Sequence, residues 1–198
     1  MRSLFILGWV GVLVGGAAAQ PPVQTEFATE RTVIAVPGPV SASHAYTPDM
    51  LLKMPECELA EIYRKSPPAP VPCGFTPGLI IYKPGSLVTT PVARLSQVTA
   101  WQGKYFPPDG TTYNVTFGLP TVRATIYPGD SWFDGGPTTV FDYSETSFLF
   151  PRCRDEVREV SPGVYLGILY RRTRCGPKIR TWFALDARDR KGCCVGEK

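Results

Sequence analysis

Residues 131–172 read SWFDGGPTTVFDYSETSFLFPRCRDEVREVSPGVYLGILYRR, and this stretch decides the fold. Apolar and β-branched residues alternate with polar ones, while Gly and Pro recur at short intervals, the pattern of antiparallel strands joined by tight turns. Asp134-Gly135-Gly136-Pro137 is a turn signal, because glycine takes the positive φ that hairpin turns need and aspartate tolerates it. Thr139 to Tyr143 follows as a short extended segment, and Ser161-Pro162-Gly163 turns the chain into Val164–Tyr170. Between the turns lies the densest charge cluster of the chain, Arg154-Asp155-Glu156-Val157-Arg158-Glu159. In a strand its side chains alternate, so Asp155 and Val157 face one way while Glu156 and Arg158 face the other.

The same grammar extends outward. Leu79–Tyr82, Trp101–Phe106, Tyr113–Phe117 and the alternating Val122, Ala124 and Ile126 read as strands, and Thr181–Leu185 closes the set. Gly74–Gly78, Lys83–Ser86 and Pro107–Gly110 carry turn chemistry, while Leu87–Val98, cut by Pro91, fits strand, loop or short helix. Roughly seven to nine short strands spaced by turns give a sandwich or a closed barrel. Closure removes exposed edges, so the expectation is an all-β fold, a small antiparallel β-barrel. Ahead of it, a helical turn over Met50–Lys53 precedes a helix restarted by Pro55. Leu59, Ile62 and Tyr63 share one face of that helix, and Glu56, Glu58 and Glu61 precede Arg64 and Lys65, as the helix dipole favours. The prolines from Pro67 to Pro72 end it.

Residues 1–19 form a signal-peptide pattern: a basic start at Arg2, an apolar run from Leu4 to Gly16, and small residues Ala17-Ala18-Ala19 before the expected cleavage point. Residues 20–48 are a Pro-rich extended spacer, residues 49–187 the barrel domain, and residues 188–198 a charged, Cys-containing tail. The apolar run is shorter than the ~20 residues of a spanning helix, so the mature protein is expected to be secreted or periplasmic and not membrane-spanning. Cleavage leaves 20 basic residues (21 − 1) against 17 acidic ones, a net charge of +3 that argues against nucleic acid.

Six cysteines suit an oxidising compartment. Cys57 with Cys73 would close a short loop around the helix, and Cys153 with Cys175 would staple adjacent strand ends. Cys193-Cys194 in the tail offers a disulfide link between chains. Zinc lacks a C-x-x-C spacing, and His44 is the one histidine. That histidine also leaves Ser-His-Asp chemistry without a base, and no nucleophile elbow, Walker loop or G-x-G-x-x-G cradle is present, so no cofactor is expected. Asn114-Val115-Thr116 is a glycosylation sequon, meaningful in a eukaryotic source.

Three readings of the charge cluster remain. Arg154–Glu159 forms an outward ladder of ion pairs; or Arg154 or Arg158 joins Asp142 and Asp155 inside the barrel to hold an anionic headgroup; or Asp142, Asp155 and Glu156 act as paired acids on an envelope glycan.

Trp101-x-Gly103-Lys104-x-Phe106, Ser131-Trp132-x-Asp134-Gly135, Asp142-Tyr143-Ser144 and Arg154-Asp155-Glu156-x-Arg158-x-Val160-x-Pro162-Gly163-x-Tyr165-Leu166-Gly167 together resemble a family of small bacterial and fungal proteins of no established activity. More loosely, the helix, Pro70–Gly74 and the W-x-G-K element are similar to the GXWXG family and its companion domain, with Thr99 where the first glycine of that motif stands. That resemblance implies a calycin-like barrel. The leading expectation is therefore a non-enzymatic carrier of a small amphipathic or lipid-like molecule, with Arg154, Arg158, Asp142 and Asp155 as polar contacts and Trp101, Tyr143 and Tyr165 as walls. A carboxylate hydrolase and a disulfide-linked envelope protein are the alternatives.

Overall fold

The computed structural model describes residues 45–189. Eight antiparallel strands close into an up-and-down barrel in sequence order: β1 (Gly74–Ile81), β2 (Trp101–Phe106), β3 (Thr111–Thr116), β4 (Leu119–Asp130), β5 (Pro137–Asp142), β6 (Cys153–Ser161), β7 (Val164–Thr173) and β8 (Gly176–Asp186). Three helices accompany them: α1 (Pro48–Lys53), α2 (Glu56–Lys65) and α3 (Thr89–Thr99). The segment expected to be a signal peptide, most of the expected spacer, His44 and the Cys193-Cys194 tail lie outside the described residues.

The expected turns are present, with positive φ at Gly85, Gly110, Gly135 and Gly163. Gly74–Gly78, expected to be a turn, is instead the first half of β1. Residues Gly74–Pro77 pair with β2, and Gly78–Ile81 pair with β8. Pro77 therefore stands where the strand changes partners, a position that spares the sheet its missing N–H. The undecided segment after Leu87 is α3, whose Pro91 sits in the first turn, where the amide has no intrahelical acceptor to lose.

Strand alternation sorts the apolar residues into two cores. One fills the barrel, with Phe106, Ala124, Phe141, Val157, Tyr165, Phe183 and Leu185. The other lies outside it, where Leu51 and Leu52 of α1 and Leu59, Ala60 and Tyr63 of α2 cover Leu79, Ile81, Leu166, Ile168, Trp182 and Ala184. Neighbours in β8 alternate strictly between the two. Each fully buried large side chain contributes about 1.5–3 kcal/mol, so the helices are integral to the sheet they cover.

α1 begins cleanly because the Thr47 hydroxyl accepts the Met50 amide at 3.2 Å and Pro48 supplies the first turn. After α2, the backbone of Pro67–Ala69 bonds β6 through Glu159 and Val157. Ala69 there joins the interior core, at the end of the barrel where the β2–β3, β4–β5 and β6–β7 connections lie.

Candidate functional site

The opposite end of the barrel carries the β1–β2, β3–β4, β5–β6 and β7–β8 connections, and a cavity of about 210 Å³ opens there. Its walls are mostly apolar: Ile80, Trp101, Phe150, Leu169 and Phe183. Two glycines make room for the rings. A Cβ on Gly78 would stand 2.3 Å from the Trp101 ring, and one on Gly167 would stand 2.1 Å from Phe183. Trp101 and Phe183 meet edge to face at 5.7 Å.

One side of the cavity is polar. Lys104 shares the inward phase of β2 with Phe106 and is 1% exposed. Its ammonium donates to Asp155 Oδ2 at 2.8 Å, to the Tyr143 hydroxyl at 2.6 Å and to Asn114 Oδ1 at 2.9 Å. The Tyr143 hydroxyl donates on to Asp155 Oδ2 at 2.9 Å, and Trp101 Nε1 donates to Asn114 Oδ1 at 3.1 Å. The ammonium also lies 5.2 Å from the Phe141 ring centre and 5.8 Å from that of Phe183. Three acceptors and two ring faces replace the water that a buried ammonium gives up. Burial, and then the neighbouring Asp155 charge, raise the Tyr143 phenol well above its ordinary range, so it remains a donor. Cys153 also lines the cavity, and burial followed by the Asp155 charge pushes its thiol up.

Arg154, Glu156 and Arg158 of the charge cluster sit on the outer face of the same strands, yet they are buried. Arg158, 2% exposed, donates to both oxygens of Asp134 at 2.8 and 2.7 Å and to the carbonyls of Tyr63 and Pro137 at 2.9 and 3.0 Å. Its guanidinium lies 4.5 Å above the Tyr63 ring. One side chain thus ties β6, the last turn of α2 and the β4–β5 connection together. Glu156 accepts the Ser131 hydroxyl at 2.5 Å and the Trp132 amide at 2.9 Å, and lies 3.3 Å from Arg154. Burial outweighs these bonds and raises its carboxyl. Arg154 and Arg172 approach the Trp132 ring at 4.1 and 5.2 Å. Asp142 takes Arg172 at 2.5 Å and the Tyr127 hydroxyl at 2.9 Å. Burial pushes Asp142 up, but the hydrogen bonds from Arg172 and Ser144 prevail and hold it at about 2.

Of the expected contacts, the structure brings Trp101, Tyr143 and Asp155 to the cavity. Tyr165 faces inward but belongs to the interior core and does not line the cavity. Arg154, Arg158 and Asp142 stand on the far side of the barrel wall, because strand alternation turns each of them away from Asp155. The inward grouping of arginine with Asp142 and Asp155 is thereby corrected. The outward ladder is corrected in two respects: Asp155 leaves it for the cavity, and Arg154, Glu156 and Arg158, though outward, are covered. Asp142 and Glu156 share no cleft with Asp155, which separates the three acids proposed for glycan chemistry.

The expected disulfides Cys57–Cys73 and Cys153–Cys175 do not form. Cys57, Cys153 and Cys175 are free thiols, and Cys73 is not among them. Cys153 pairs in register with Arg171, which leaves Cys175 beyond it at the exposed tip of the β7–β8 hairpin; Cys57 is exposed in the first turn of α2. Among the described residues no three His, Cys, Asp or Glu side chains gather as a metal site, and no helix is long and apolar enough to cross a membrane.

Lys104 and Asn114 were missed as site residues. Lysine is normally solvent-exposed, and the available signal was phase: Lys104 is two residues from Phe106 on one strand face. Asn114, read as a sequon, lies in register with Lys104 and lines the cavity, where its side-chain oxygen accepts from Lys104 and Trp101. A second groove of about 440 Å³ runs along the outer wall between the end of α3 and β1–β3, and no charged side chain lines it.

No family model matches the chain, and no curated protein matches it. A crystal structure of a protein from Thermomonospora curvata is similar at 17% identity and a TM-score of 0.45, covering 68% of this chain and 88% of that one. The fold described above rests on the strand pairings themselves.

Proposed function

We propose that this chain is an exported binding protein whose barrel holds a small amphipathic molecule in the cavity at its open end. One observation carries the reading: an apolar, aromatic-walled cavity with a single buried polar cluster, Lys104–Asp155–Tyr143–Asn114, on one side. A few convergent polar groups on an otherwise apolar wall are what orients a ligand. The leader-like segment from Leu4 to Ala19 supports export.

Volume and charge narrow the ligand. A cavity of about 150 Å³ takes a benzene, so about 210 Å³ takes a ring or short chain with its head group, and any longer tail extends through the mouth. Lys104 and Asp155 cancel each other's charge at 2.8 Å. A carboxylate added beside them would bury a net charge at considerable cost. The head is therefore a neutral donor–acceptor group such as a hydroxyl or amide.

Native mass spectrometry of the chain purified without detergent, before and after solvent extraction, tests this. A discrete adduct that leaves on extraction is expected, and Leu169→Trp, which fills the cavity, should abolish it without lowering the melting temperature. A chain that emerges empty and takes up no short-chain alcohol or amide overturns the reading.

A further inference from the structure

The connections at the cavity end carry apolar side chains at their tips. Leu87 before α3 is 99% exposed, Phe117 in the β3–β4 turn 73%, and Phe148 in the β5–β6 loop 98%, with Leu119, Leu149 and Phe150 beside them. Single exposed apolar residues are ordinary, but here three separate connections present them around one opening.

The charge at this end is one-sided. Residues 171–180 of the β7–β8 hairpin read RRTRCGPKIR, five cations and no acid. Arg171, Arg174, Lys178 and Arg180 are exposed, and Arg152 in the β5–β6 loop adds to them. Glu145 is the acid in that loop. The opposite end is mixed: exposed Asp109, Asp130 and Asp189 stand with exposed Arg123 and Arg188, which pair with Asp109 and Asp186. Unbalanced positive charge is thus gathered at the end that carries the apolar tips, while the other end mixes both signs.

We propose that the cavity end docks on an anionic lipid surface, with Leu87, Phe117, Phe148 and Leu149 entering the headgroup layer and the cations of the β7–β8 hairpin engaging lipid phosphates. Aromatic and leucine side chains at loop tips partition to that layer, and each cation near an anionic leaflet strengthens binding by about fivefold. Charge complementarity selects this occupant: a second copy would set cationic rims face to face, whereas the bilayer supplies both an apolar layer and fixed negative charge. Docked this way, the cavity opens toward the membrane. Docking does not require the cavity to be filled, so it stands apart from the ligand reading above.

The test is co-sedimentation of the full chain with vesicles of phosphatidylcholine alone and of phosphatidylcholine mixed with phosphatidylglycerol. The chain is expected to partition at least tenfold more strongly onto the mixed vesicles, less so in high salt. Phe148→Ser with Leu149→Ser should weaken partitioning on the order of tenfold, and Arg174→Glu with Lys178→Glu should remove the preference for phosphatidylglycerol. None of these four residues lines the cavity, so ligand adducts should persist in both variants. Indifference to phosphatidylglycerol, equal partitioning of wild type and variants, or displacement from vesicles by an oligonucleotide at matching concentration would overturn the proposal. So would a self-association lost in Phe148→Ser/Leu149→Ser while vesicle binding is unchanged.

Discussion

Lys104 and Arg158 are both almost fully buried cations paired with an aspartate, and they lie on opposite sides of one barrel wall. Arg158 bonds two main-chain carbonyls as well as its carboxylate, from three separate elements. Lys104 bonds side chains alone, and those side chains border an empty volume. A charge anchored to backbone fixes elements in place. A charge held by side chains around a cavity leaves partners free to rearrange toward something that enters. The difference separates a structural ion cluster from a binding one where burial and pairing do not.

The largest test of that contrast is Arg158→Met, which strands Asp134 and the carbonyls of Tyr63 and Pro137. A loss of about 3 to 5 kcal/mol in urea melts is expected, and a loss under about 1 would return the outer cluster to the class of exposed ion pairs. Lys104→Met alone should cost about 3 kcal/mol, because Asp155 is left uncompensated, but adding Asp155→Leu should restore most of that loss. The matching pair Arg158→Met with Asp134→Leu should restore little, since the orphaned carbonyls persist. Double-mutant cycles on both pairs would read the asymmetry directly.

Smaller effects are expected from pH. The Glu156 carboxyl is raised, so the folded state holds its proton more tightly than the unfolded chain, and stability falls as pH rises through the window between the two values. Glu156→Gln should flatten that fall. Asp142, held at about 2, behaves oppositely: its contribution is present above the unfolded value near 3.8 and is lost as pH drops toward 2. Asp142→Asn should flatten the acid limb. Melting temperature against pH for each variant checks both signs. The smallest signal is optical. Burial pushes the phenols of Tyr63 and Tyr165 up to about 12, so Tyr63→Phe and Tyr165→Phe should each remove phenolate absorbance that appears near that pH.

Much of the barrel was legible because its signals are local. The turns at Gly135, Gly163 and Gly110 need only their own φ, and the alternation of Arg154–Glu159 placed Asp155 opposite Glu156 and Arg158. Which of those two sides was the interior depended on distant neighbours: α2 and the Ser131–Gly136 loop cover the outer side, and periodicity cannot see a cover. For the same reason the outer pairs read as solvent-exposed. The segment Gly74–Gly78 misled because glycine and proline mark turns locally, whereas its extended state is fixed by a change of sheet partner at Pro77. The thiols were paired by proximity in sequence, but register carries Cys175 past Cys153. The cavity itself depends on two glycines whose lack of a side chain leaves room for Trp101 and Phe183, an absence that has no periodic signature.

The division of β1 between two partners has a consequence in time. Gly78 meets Leu185 across 107 residues (185 − 78), so half of the first strand to leave the ribosome stays unpaired until nearly the whole described chain exists. Contacts of such separation form late, after the local hairpins from β2 to β8 have reduced the span to be closed. Ile80 and Phe183, which border the cavity, pair with each other across this seam. The cavity therefore comes into being with the final closure, and a molecule that fills it acts as a clasp on the seam, slowing unfolding more than it speeds folding.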